Sequence, residues 1–227
     1  MVRLIRALSG RAEFVIVLLV AFAPFVLKST VSVFDPPAAP MISNRHLISL
    51  LVYEPLVLTA IVIFIRLRSW TLGRLGLASL LPLDTVKGVG LLVITSAINW
   101  LVWWLLWNVA PDLVTAAGHR AATVIAHDFQ MAIIIAASAV NGLFEELLLC
   151  GYVMSVVKSR HGEWTAINFS ATLRLSYHLY QGLPGAIGII PVGLIFGLAF
   201  ARTGRLWPLV IAHALLDMLA LIPYVAA

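Results

Sequence analysis

The chain predicts an all-α protein: a polytopic bundle of about seven transmembrane helices that forms one integral membrane domain over residues 1–227. Three observations carry this. Of 227 residues, 62% are hydrophobic and only 11% charged, with a mean hydropathy of +1.03; a soluble domain is nearer half apolar and a quarter charged. The apolar residues fall in runs of roughly 20, the length that crosses a ~30 Å hydrocarbon core. The basic residues sort to one side of those runs.

Each span has its own warrant. The first, 12–33, follows Arg3, Arg6 and Arg11, and Lys28 closes its apolar run. No small-residue cleavage site follows cleanly, so it reads as a retained span and not a signal peptide. Pro36, Pro37 and Pro40 mark the outer loop after it. The second, 46–66, runs into Arg66 and Arg68, and Arg74 lies in the next loop. The third, 86–110, carries Trp100, Trp103, Trp104 and Trp107 in its outer half, where indoles face lipid and interface. The fourth, 131–157, ends at Lys158 and Arg160. The fifth and sixth, 163–181 and 185–201, are joined by the tight link Tyr180–Gly185, and the seventh, 206–226, follows Arg202 and Arg205.

With the N-terminus cytoplasmic, the inner side also collects Lys87, and the outer side keeps only Lys28, Arg45 and Arg120. Miscounting one span would scramble this separation. Trp70, Trp164 and Trp207 stand at inner boundaries, as interfacial anchors. The pI near 9.8 follows from these loops; no base-reading motif accompanies it, so nucleic acid is excluded as a partner. The single cysteine, Cys150, rules out an intrachain disulfide and a Cys-rich metal site. There is no internal repeat.

Glu145 and Glu146 interrupt the fourth span. A carboxylate at mid-membrane costs at least ~2.5 kcal/mol on insertion scales, so two adjacent ones need a reason. At ~1.5 Å per residue, Glu145 lies roughly 18 Å from the inner end of its helix, His178 roughly 22 Å, His213 roughly 10 Å and Asp217 roughly 17 Å. Residues four apart share a helix face, which pairs His213 with Asp217 and Arg174 with His178. Such groups satisfy one another only by converging on a water-containing cavity. Taken singly, His178 or His213 also fits a helix–helix hydrogen bond, and Arg174 fits a counter-charge for a carboxylate. Glu54, beside Pro55, reads as a protonated or locally hydrogen-bonded structural acid. His46, His119, His127 and His161 fall at span ends or in loops and read as solvated.

Together these residues resemble the CPBP intramembrane protease family, also called the CAAX-protease or Abi family. Three blocks within Asn141–Asp217 carry the likeness. Glu145-Glu146-Leu147-Leu148-Leu149-Cys150-Gly151-Tyr152 is similar to EExxxR followed by Gly-Tyr. Leu173-Arg174-Leu175-Ser176-Tyr177-His178 stands at the place of FxxxH. Leu206-Trp207-Pro208 leads to His213-Ala214-Leu215-Leu216-Asp217, similar to HxxxN or HxxxD. The catalytic-motif core is thus about 131–226. Cys150 stands where the family usually has Arg, and Arg174 where it usually has Phe. The two departures are read as linked, with Arg174 supplying from a neighbouring helix the charge lost at Cys150.

The resemblance implies an intramembrane endopeptidase in which Glu145 and His178 polarise the attacking water. Glu146 is then the charge-paired structural member, Arg174 supports it, and His213 assists the oxyanion or leaving group. Asp217 can orient His213, be protonated, or join Glu145, His178 and His213 as an N/O set for Zn²⁺. The reading leans to metal-free chemistry and leaves the metal version open. Implied partners are the lipid bilayer and a membrane-embedded or lipid-modified protein or peptide substrate; a prokaryotic cytoplasmic membrane suits the chain. A non-catalytic scaffold or immunity protein of the same fold, and a proton-coupled transporter, stand as the alternatives.

Overall fold

The computed structural model describes residues 2–35, 40–127 and 129–225. Among the described residues ten helices follow one another: α1 (Val2–Ala7), α2 (Gly10–Phe34), α3 (Asn44–Leu67), α4 (Pro82–Val109), α5 (Pro111–Val124), α6 (Met131–Glu146), α7 (Ser155–His161), α8 (Glu163–Tyr177), α9 (Gly182–Thr203) and α10 (Trp207–Leu221). A wide-turned segment, Leu147–Met154, joins α6 to α7, so that Met131–His161 is one continuous helix. Six of these helices are long and apolar enough to cross a membrane, which makes the chain an integral membrane protein.

The elements begin where local chemistry tells them to. Ser9 caps α2 by accepting from the Ala12 N–H, and Ser43 caps α3 by accepting from His46, each satisfying an orphan amide of the first turn. Pro82 and Pro111 occupy first turns, where a missing N–H is harmless. Asp84 Oδ2 accepts from the Leu81 N–H, which starts α4 at 82, not at 86.

Two expectations change. The fifth span, 163–181, is α8, whose 15 residues reach only ~22 Å. Its regular structure stops at His178, and a short turn, Leu179–Gln181, leads into α9. Glu163, Asn168, Ser170 and Arg174 spread polar groups along it, and it lies partly inside the bundle. In the stretch between the third and fourth spans, α5 forms an additional helix. Its Arg120 donates to Tyr180 O and Ser32 O, tying α5 to the end of α2 and to the turn after α8. Pro36, Pro37 and the end of the seventh span at 226 lie outside the described residues.

The wrapping follows the solvent. Val15, Leu19, Leu27, Val52, Leu56, Val93, Trp100, Trp104 and Trp107 are exposed large apolar side chains on α2, α3 and α4, as lipid-facing surfaces require. The helix through Met131–His161 is the buried centre. Small residues let its neighbours close in: a Cβ on Gly142 would lie 3.0 Å from Val210 O and 3.1 Å from Ala214 N, so α6 and α10 touch backbone to backbone. Between α8 and α9, a Cβ on Gly193 would lie 2.9 Å from Ala171 Cα.

At the arginine-rich end the bundle is closed. Glu13 accepts from Arg68 Nε at 2.8 Å, Trp70 Nε1 at 2.8 Å and Tyr152 Oη at 3.0 Å. Trp70 is therefore buried by this acceptor and is not an interfacial anchor. The 71–81 stretch is stitched beneath α9 and α10: Leu206 N donates to Gly76 O at 3.0 Å, Trp207 Nε1 to Ala78 O at 2.7 Å, and Arg205 to Asp84 at 2.6 Å.

Candidate active site

The α6–α10 contact at Gly142 sets the site, because it brings His213, next to Ala214, against Glu145 and Glu146. Arg174 enters from α8. Its Nη2 donates to Glu146 Oε1 at 2.5 Å and its Nη1 to Glu145 Oε2 at 3.2 Å. His213 Nδ1 lies 2.6 Å from the same Glu146 oxygen. A carboxylate only accepts, so Nδ1 carries the proton and donates to Glu146; the 3.4 Å approach of Arg174 Nη1 to that nitrogen is proximity, not a bond. His213 Nε2 then faces Asp217 Oδ1 at 3.6 Å and Glu145 Oε2 at 3.9 Å.

The two adjacent carboxylates differ sharply. Glu146 is fully enclosed: it accepts from Arg174, from His213, and from Cys150 Sγ at 3.3 Å. Glu145 borders a cavity of about 500 Å³, holds Arg174 more loosely, and accepts a hydrogen bond from Tyr177 Oη. Tyr177 is braced by stacking on Phe22, 5.8 Å between ring centres. Sequence reasoning missed it. A Tyr one position before the His and three after Arg174, on the same helix face, is the signal that could have found it.

His178 reaches the same cavity differently than its spacing from Arg174 suggests. Its Nδ1 lies 2.9 Å from Arg174 O, the main-chain carbonyl and not the guanidinium. A carbonyl only accepts, so Nδ1 donates and a neutral ring presents Nε2 as an acceptor. Asp217, about one third exposed, accepts from Asn141 Nδ2 at 2.8 Å. Asn141 is a second residue the sequence did not single out; it lies one turn before Glu145, on the cavity side.

Of the histidines first read as solvated, His46 is half-buried and lines the cavity, whereas His119, His127 and His161 are exposed, His127 with its ring 5.1 Å from that of Tyr224. Glu54 is buried and lines the cavity too, and its Oε2 has no hydrogen-bond partner among the described residues. Trp103 likewise turns inward to the cavity, while Trp100, Trp104 and Trp107 stay on the outer surface.

The donor set does not suit Zn²⁺. The guanidinium of Arg174 already lies between both glutamates, where a second cation would be repelled. His213 spends Nδ1 on Glu146, and its Nε2 stands at ion-pair distance from Asp217 and Glu145, 3.6 Å and 3.9 Å. Among the described residues no three His, Cys, Asp or Glu side chains are grouped to hold a metal ion.

Residues 127–219 match the family described as Type II CAAX prenyl endopeptidase Rce1-like. This confirms the likeness to the CPBP, or CAAX-protease, family on the segment that carries all three blocks. No curated protein and no solved structure matches the chain.

Proposed function

Taking the match of residues 127–219 to type II CAAX prenyl endopeptidases as premise, we propose that this chain is an intramembrane endopeptidase that hydrolyses a membrane-associated protein or peptide within its buried cavity. One observation carries the reading: of two adjacent carboxylates, one is locked into ion pairs and the other borders an open space. Glu146, sealed by Arg174 at 2.5 Å and His213 at 2.6 Å, is a fixed negative charge. Glu145, at the cavity edge with Tyr177 and Arg174 on one oxygen, is the base.

A water molecule between Glu145 and His178 Nε2 is polarised from both sides. Its oxygen bonds to the scissile carbonyl carbon while Glu145 takes one of its protons. The developing oxyanion meets His213 as an imidazolium, whose Nδ1–H donates to Glu146 while its Nε2–H, faced by Asp217, donates to the oxyanion. As the C–N bond breaks, the proton returns to the leaving nitrogen. Asp217 and Asn141 act as positioning residues for His213. No metal enters these steps, so activity survives exhaustive chelation; a chelated preparation that loses turnover and regains it with Zn²⁺ overturns this part.

The apolar walls, among them Phe22, Phe25, Phe144, Ile189 and Val192, suit a hydrophobic or lipid-modified segment. The decisive test is mass spectrometry of cleavage products in cells expressing wild type or Glu145→Gln, with folding of the variant checked by thermal unfolding in detergent. Products vanish in folded Glu145→Gln if the reading holds. An unchanged product set removes it and leaves the scaffold reading.

A further inference from the structure

We infer that the cavity is reached from the arginine-poor side of the membrane, so that the substrate is a membrane-anchored protein or peptide whose scissile segment lies on the exported side. The inference rests on the endopeptidase reading above and adds where its substrate comes from.

The cavity is asymmetric along the helix axes. From the buried charges it extends to Lys28, Met41, His46, Ile125 and Leu221. Each of these lies at the same end of the bundle: late in α2, just before or at the start of α3, just after α5, and at the last residue of α10. A shallow second concavity continues outward from that lip past Lys28, Arg45 and Ser49.

The other end is tightly packed among the described residues. There Glu13 gathers Arg68, Trp70 and Tyr152, and Leu75 is fully buried. Its carbonyl sits where a Cβ on Gly151 would approach to 2.8 Å. Between this closure and Glu146 lies a continuous apolar layer that includes Leu147, Leu148, Leu149 and Leu209, each at most 2% exposed.

Charge fixes which end is which. Arg66, Arg68, Arg74, Arg160, Arg202 and Arg205 all flank the closed end, and short loops rich in Lys and Arg stay cytoplasmic. The open lip therefore faces away from the cytoplasm. A peptide confined to the cytoplasmic face meets the sealed end, whereas one anchored with its cleavable segment outside descends directly to Glu145.

The test uses the full chain in the inner membrane of bacterial cells and a bulky, membrane-impermeant maleimide. Cys150 is buried, so the unsubstituted protein supplies the unlabelled background. Met41→Cys and, independently, Arg45→Cys report the lip; His161→Cys reports the closed end. In intact cells the lip variants are expected to label, and labelled Met41→Cys to lose its cleavage product, while His161→Cys labels only after lysis. Labelling of His161→Cys but not the lip in intact cells overturns the inference, as does full cleavage by labelled Met41→Cys. Labelling needs no turnover, so the sidedness can fail or hold separately from the Glu145→Gln result.

Discussion

At Arg174 a single guanidinium answers two adjacent carboxylates, Glu145 at 3.2 Å and Glu146 at 2.5 Å, inside a bundle where an unpaired charge is expensive. Removing it strands both. Arg174→Leu is expected to lower unfolding stability by about 3–5 kcal/mol, read as the shift in thermal or denaturant midpoint in detergent. Cys150 lies 3.3 Å from Glu146, so Cys150→Arg in that background places a guanidinium on the same carboxylate from within the same helix. It should recover part of the lost stability and cleavage; no recovery would count against the linked exchange of these two residues. Tyr177→Phe is milder. It keeps the stacking on Phe22 but deletes the donor to Glu145, a charge-assisted bond of about 1.5–3 kcal/mol. That bond is already made in the resting protein, so its loss lowers the melting midpoint, and with Glu145 less firmly held cleavage falls by about 10–100-fold.

Among the elements, the close passage of α10 over Gly142 holds His213 at 2.6 Å from Glu146. Gly142→Ala pushes a methyl to 3.0 Å from a main-chain oxygen, and overpacking of this kind costs about 1–3 kcal/mol. Gly90→Ala, whose Cβ meets nothing within 4 Å, should leave the melting midpoint in place or raise it slightly. Comparing the two melts in one detergent checks this. Helix patterning of this sort was only partly legible. Runs such as 12–33 and 46–66 stand out because hydropathy alone identifies long lipid-facing helices. α5 did not, since a 14-residue amphipathic helix lies below spanning length, and α8 was overextended because Ser170 and Arg174 are polar yet buried inside the bundle and hydropathy does not mark where its regular turns stop. The meeting of Glu145, Glu146, Arg174, His213 and Asp217 could be anticipated from depth and i,i+4 spacing. Asn141 could not, because uncharged polar residues carry no comparable penalty that demands a partner; for Tyr177 only its place three residues after Arg174 gave a signal.

Over the whole molecule, the two ends are built to opposite specifications, one opening on a cavity and one tied shut around Glu13. Glu13→Ala leaves Arg68, Trp70 and Tyr152 without their common acceptor and should cost about 3–5 kcal/mol. Limited proteolysis should then cut faster in the 69–81 stretch, which the intact protein pins through the buried Trp70 and Leu75; equal resistance in variant and wild type would speak against this role. The wide-turned segment Leu147–Met154 lies between these ends, at the junction of the two regimes. Segments with one extra residue per hydrogen-bonded ring are uncommon and short-lived along a helix, and here one sits directly after Glu146. It acts as a rotational joint: the azimuth at which the glutamates point is set independently of the azimuth at which Tyr152 meets Glu13. Deleting a single residue from 147–154 would return that stretch to ordinary pitch and change the azimuth of one half against the other, so the two halves of this helix can be retuned by sequence length as well as by side-chain identity.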